Sequence, residues 1–164
     1  MSVNEGAGGE AVEFETAQAR NWPSVTQFSV FLENRVGMLL ELVKCFSGSK
    51  VRIVGLSIMD STDCCIIRLM LSHPEQGREI LERAGFSFAE NELLVVELPI
   101  GSQSLVDLCS GLLQAEINIF YCYALIIHPH GRSAVALHAD NVELASAILH
   151  DMGFDILSEA DLHY

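Results

Sequence analysis

The chain has 164 residues, half of them apolar and 19% charged, which is enough apolar surface to build a core in water. Its 22 acidic residues against 9 basic ones give a formal net charge of -13, a field that repels a phosphate backbone, so nucleic acid is excluded as the expected partner. No apolar run reaches the roughly 18 to 20 residues of a membrane-spanning helix, and no membrane partner is expected.

Residues 1–24 read as a flexible acidic leader rich in Gly, Ala and Glu, in which Phe14, Trp22 and Pro23 are the groups able to dock on the body. The leader lacks the apolar core and positive charge of a secretory signal, so the expected location is cytoplasmic. The first strand begins at Val25, where Phe28, Val30 and Leu32 alternate with Gln27, Ser29 and Phe31. After a loop at 33–37, Met38, Leu39, Leu42, Val43 and Phe46 fall on one side of a helix that Gly48 ends. Two strands follow, 51–59 and 64–71, joined by turn residues 60–63 into a hairpin. Ser72 with Glu75 predicts a capping box at the start of a second helix, Gly85 its end, and residues 86–90 a fourth strand.

The pattern then repeats. Residues 30–57 align with 96–123 without a gap, so that Leu39 meets Leu105, Leu42 meets Leu108 and Ile53 meets Ile119. After a further shift of two residues, Ser72, Ile80, Leu81, Gly85 and Phe86 meet Asp140, Ile148, Leu149, Gly153 and Phe154. Leu94, Val96 and Leu98 mark the first strand of this copy, and Leu105, Leu108, Cys109, Leu112 and Leu113 its first helix. Strands at 117–127 and 133–138, a capping box of Asp140 with Glu143, and a last strand at 154–158 complete it. The predicted fold is α+β: two ferredoxin-like βαββαβ units, 25–92 and 93–164, side by side, each an antiparallel sheet with its helices on one face. Only Asn91 and Glu92 separate the last strand of one from the first of the next, so the units cannot swing freely. Phe31, Tyr121 and Tyr123 mark open sheet faces available to a second copy, and a homodimer is expected.

Five cysteines, Cys45, Cys64, Cys65, Cys109 and Cys122, lie in apolar segments and are expected to be reduced and buried. Cys64 and Cys65 should point to opposite faces of their strand, which disfavours a shared metal, and no CxxC spacing accompanies them.

The segment VFLENRVGML at 30–39, between a first strand and a first helix, resembles the motif of ACT domains, small ligand-binding regulatory modules. INIFYCYAL at 117–125 and the ending FDILSEADLHY are similar to stand-alone tandem ACT proteins, and the resemblance spans everything after the leader. It implies a non-catalytic sensor that binds an amino acid or similar metabolite and needs no cofactor or metal. Gly37 would let a ligand approach the backbone, the amides of Gly37, Met38 and Leu39 would receive its carboxylate, and the Asn34 amide oxygen its ammonium group. Arg35 and Val36 belong to the same loop, and Arg52 or Asn118 would complete the site. The plainer alternative is a helix-starting turn. In the second copy Gln103 stands where Gly37 stands in the first, within Ile100, Gly101, Ser102 and Gln103; this is either a shifted ligand loop or a scaffold.

Three rival functions share the residues. RNA-recognition modules have the same topology, but they read bases with aromatic residues amid basic charge, and the strand CCIIRLML at 64–71 has none. A small metal-dependent enzyme could use His128 and His130 around Pro129, with Asp140 or His138 nearby, although a polar turn explains the imidazoles as well. A scaffold or regulatory subunit clamping a biosynthetic enzyme would need no small molecule.

Overall fold

A computed structural model of the chain describes residues 22–61 and 64–163. Strand β1 (Val25–Glu33) leads into helix α1 (Met38–Lys44), the hairpin β2 (Ile53–Asp60) and β3 (Cys64–Leu71), helix α2 (Pro74–Arg83) and β4 (Ser87–Glu97). The second pass runs α3 (Ser104–Gln114), β5 (Ile119–Ala124), β6 (Ala134–Ala139), α4 (Val142–Asp151) and β7 (Asp155–Leu157), with 3-10 turns at Pro129–Gly131 and Glu159–Leu162. Of the leader, Trp22 packs against the second unit's core, while Phe14 lies outside the described residues.

All pairings are antiparallel, in the order β2-β3-β1-β4-β6-β5 with β7 also on β4. β4 serves both units: residues 87–93 pair with β1, and residues 94–97 pair with β6. The two strands expected on either side of Asn91 and Glu92 are therefore one. The reason is local, because Asn91 and Glu92 lie opposite Gln27 and Thr26 of β1 and continue the ladder instead of turning.

The sheet curls until its ends meet, where Gly55 of β2 bridges Leu125 and the Ile126 amide donates to the Val54 carbonyl at 2.9 Å. A Cβ at position 55 would press on Met70 and Tyr123 at 3.2 Å each, so the close approach uses a glycine. Alternation then divides the side chains. Phe28, Val30, Ile67 and Leu69 face outward to Leu42, Phe46 and Leu81, while Leu94, Val96, Val135 and Leu137 face Leu108, Leu112 and Leu149. Their neighbours of opposite parity, Val25, Met70, Leu93, Val95, Leu125 and Ala136, form a third cluster inside the curl, sealed by Leu157 and Leu162. The open faces expected to await a second copy thus partly cover each other. Tyr121 and Tyr123 pack on this inner cluster, and only Phe31 of the three remains on the surface, 45% exposed.

The C-terminal turn ties the units together, since the Thr26 amide and hydroxyl donate to Glu159 Oε1 at 3.1 and 2.6 Å. His163 also stacks on His73 with ring centroids 4.7 Å apart.

Neither predicted capping box forms, and both N-caps fall one residue later than expected, with no side-chain cap bond from His73. The N-caps are His73 and Asn141, and the Asn141 side chain accepts from the Leu144 amide. Ser72 and Asp140 have a different task, identical in the two copies. Their side chains accept from the amides of Arg52 and Asn118 at 3.0 and 3.2 Å and so pin the start of β2 and β5. The first helices also bury less than expected. Leu42 and Phe46, and Leu108 and Leu112, rest on the sheet at i, i+4 spacing, whereas Leu39, Val43, Leu105 and Leu113 are exposed.

Candidate functional site

The first loop stands exposed between β1 and α1. Gly37 caps α1 in the left-handed region, φ +94°, a conformation that a side chain would strain, and a Cβ there would meet nothing within 4 Å. Val36 is fully exposed, and Arg35 pairs with Glu33 of its own loop at 3.1 Å. The Met38 amide reaches the Arg35 carbonyl only at 3.4 Å, and Leu39 is partly exposed behind it.

Asn34 donates from Nδ2 to Asp60 Oδ1 at 2.8 Å, which leaves the Asn34 carbonyl oxygen and the second carboxylate oxygen as acceptors beside the open backbone of Gly37. Asp60 was missed among the candidate residues. Its only signal in the sequence is its place in the turn that closes the first hairpin.

Asn34, Arg35, Val36, Gly37, Met38 and Leu39 are thus together by continuity. Arg52 is not with them: it precedes β2 at the end opposite Asp60, about 25 Å away at a strand's rise of about 3.3 Å per residue. Asn118 is better placed. β5 runs antiparallel to β2 from the Gly55–Leu125 bridge, so the start of β5 lies toward the Asp60 end.

The second loop has another shape. Its positive φ falls at Gly101, +146°, while Gln103, the counterpart of Gly37, has an ordinary φ of -94°. Ile100, Gly101, Ser102 and Gln103 line an open depression of about 720 Å³ shared with Asp107 and Ser110 of α3 and with Met152 and Phe154. The Ser104 hydroxyl closes the loop on the Gly101 carbonyl at 3.2 Å.

The histidine turn is occupied by protein contacts. His130 Nδ1 lies 2.9 Å from the buried carboxylate of Glu97, which Arg132 also approaches at 3.2 Å. Asp161 lies 3.7 Å from His130 Nε2, and the Ser158 backbone amide holds its carboxyl below the ordinary range. No group of three or more His, Cys, Asp or Glu side chains gathers with metal-binding geometry among the described residues.

The cysteines differ from expectation. All five are free, but Cys64, Cys109 and Cys122 are exposed, because they stand at the start of β3, on the outer side of α3 and on the edge strand β5. Desolvation raises the thiols of Cys45, Cys65 and Cys122, which favours thiol over reactive thiolate.

Among the described residues no helix is long and apolar enough to cross a membrane. Among solved structures, protein BT0572 from Bacteroides thetaiotaomicron is similar at a TM-score of 0.78 and 22% identity, over 87% of this chain and 98% of that one. The regulatory subunit of aspartate kinase from Thermus thermophilus, in its ligand-free form, superposes at a TM-score of 0.54 with 12% identity, over 83% of this chain and 97% of that one. The corresponding subunit from Thermus flavus gives 0.51 and 10%, over 80% and 93%. At these identities the likeness is one of fold. No curated protein matches the sequence. The family described as the ACT domain pair matches residues 23–164, the two βαββαβ passes and the strand they share, and the chain belongs to that family.

Proposed function

We propose that this ACT domain pair is a non-catalytic regulatory protein that binds an amino acid at its first loop and transmits binding through a protein contact. The observation that carries the reading is the hydrogen bond between Asn34 and Asp60. It sets an acceptor pair suited to an ammonium group beside a loop whose glycine leaves the backbone open to a carboxylate. A zwitterion needs those two opposed poles a few ångströms apart. The regulatory role extends to this chain what the aspartate kinase neighbour is named for.

Thermal melting with each common amino acid tests it. A ligand at a hundred times its Kd adds about 2.7 kcal/mol, a rise of roughly 5–10 °C for a body of this size. The rise is expected to disappear in Asp60→Ala and Asn34→Leu and to survive in Arg52→Ala. No rise with any amino acid, or an undiminished one in Asp60→Ala, overturns the reading.

The contact surface is proposed on the first helices. Leu39, Leu40 and Val43 of α1 and Leu105, Val106 and Leu113 of α3 are exposed apolar side chains, several at equivalent positions of the repeat. A second copy of the chain is the proposed occupant, and light scattering is expected to give about twice the 18.0 kDa chain mass. A monomeric mass would shift the contact to an enzyme partner.

A further inference from the structure

Arg68 sits in β3 between Ser29 of β1 and Ser57 of β2, its side chain on the inner face of the curl. From the opposing part of the sheet, Tyr121 comes beneath it, so that the guanidinium carbon lies 3.9 Å from the ring centroid. Tyr121 is itself held in place. Gln27 Nε2 donates to its hydroxyl at 2.9 Å, and the His138 ring lies 5.2 Å from it, with Phe120 5.3 Å from that imidazole. The Arg68 Nη2 contact to Met59 Sδ at 3.8 Å is weak.

Acidic residues outnumber basic ones 22 to 9, and Arg35, Arg78 and Arg132 each have a carboxylate partner. Arg68 forms no ion pair among the described residues. Burial and the charge of Arg68 lower His138, so the imidazole beside it is neutral at neutral pH and adds no competing cation. The ring beneath restrains the guanidinium, whose N–H groups have only the weak Met59 contact among the described residues, and a planar guanidinium can receive a carboxylate through two parallel hydrogen bonds.

The next row on the same face is apolar: Phe31 lies opposite Ile66, and Ile66 opposite Met59. Phe31, Met59 and Phe120 are 45%, 41% and 57% exposed, bare apolar surface in the neighbourhood of the guanidinium. We infer that Arg68 anchors the carboxylate of a small organic acid whose apolar body rests on Phe31, Met59 and Phe120. This surface lies on the inner face of the sheet beside Arg68, and the inference stands without any ligand at the loop around Gly37.

The test is an amide NMR titration of the full chain with 4-methylpentanoate, alongside the isosteric alcohol 4-methylpentanol and inorganic phosphate. The acid, at about 10 mM, is expected to shift resonances around Arg68 and Tyr121, with the alcohol and phosphate bound at least about tenfold more weakly. Arg68→Met removes the charge and keeps an unbranched side chain, and Phe31→Ser changes an exposed residue; each is expected to weaken binding about tenfold or more while the melting temperature confirms folding. No binding of the acid, equal binding of the alcohol or of phosphate, or unchanged binding in Arg68→Met overturns the inference. A loss in Arg68→Met with unchanged binding in Phe31→Ser also overturns it, because the apolar body would then lie elsewhere.

Discussion

Phe28→Ala is expected to destabilise the chain by about 3–5 kcal/mol and to lower the melting temperature of both units together, by roughly 10 °C or more. Phe28 is wholly buried at the centre of the first unit's outer cluster, and its ring meets Phe88 edge to face with centroids 5.6 Å apart. Truncation removes that contact and leaves a cavity among Leu42, Leu69 and Leu81, side chains fixed by a helix or a paired strand and so poorly able to collapse into it. The coupling follows from β4, from the inner cluster drawn from both units, and from the Thr26–Glu159 hydrogen bonds. Trp22, the one tryptophan of the sequence, packs against the second unit's core, so its fluorescence reports on the unit that does not contain the substitution. Its transition and that of far-UV circular dichroism are expected to coincide and to move equally. A Trp22 midpoint that stays at the wild-type temperature would mean that the units melt separately.

Much of this fold was legible from periodicity. Alternation at Phe28, Val30 and Leu32 and helical spacing at Leu108 and Leu112 follow from which face each side chain buries, and the offset between copies, with its one shift of two residues, locates the second set from the first. The curl was not legible. Nothing in a one-dimensional pattern distinguishes an inner face covered by the same chain from one left for a partner, and Tyr121 and Tyr123 satisfy either reading. The capping boxes fit the motif but not the geometry: Ser72 and Asp140 are taken by amides about 20 residues away in sequence, a tertiary contact that local spacing cannot reveal. At the candidate site, the loop around Gly37 was visible because a helix start with glycine is a local signal. Asp60 was not, since its relation to Asn34 depends on how far the hairpin extends beside β1. Arg52 was misplaced for the same reason, as residue type alone does not say which end of a strand faces a loop. Cys122 and Cys109 read as core because edge strands and outer helix faces here carry apolar residues too.

Gln27→Leu is expected to cost about 1–3 kcal/mol although it replaces a polar side chain by an apolar one of similar size in a buried place. Gln27 has no exposed surface, and its amide makes three bonds: Nε2 donates to Tyr121 at 2.9 Å and to Ser29 Oγ at 3.3 Å, while Oε1 accepts from the Tyr123 hydroxyl at 2.8 Å. Leucine strands both tyrosine hydroxyls at the edge of the inner cluster. Tyr123 suffers more, because burial raises its phenol well above the ordinary value and keeps it a neutral donor in need of an acceptor. If the cost comes from that orphaned donor, removing the hydroxyl as well should return part of it: Gln27→Leu combined with Tyr123→Phe is expected to be more stable than the sum of the two single losses predicts, with a coupling of about 0.5–3 kcal/mol in chemical denaturation. Strict additivity would show that the amide and the phenol act independently and that the cost of Gln27→Leu lies in packing. The same amide orients Tyr121 beneath Arg68, so Gln27→Leu is also expected to weaken binding of the organic acid there, a loss that Tyr123→Phe alone should not reproduce.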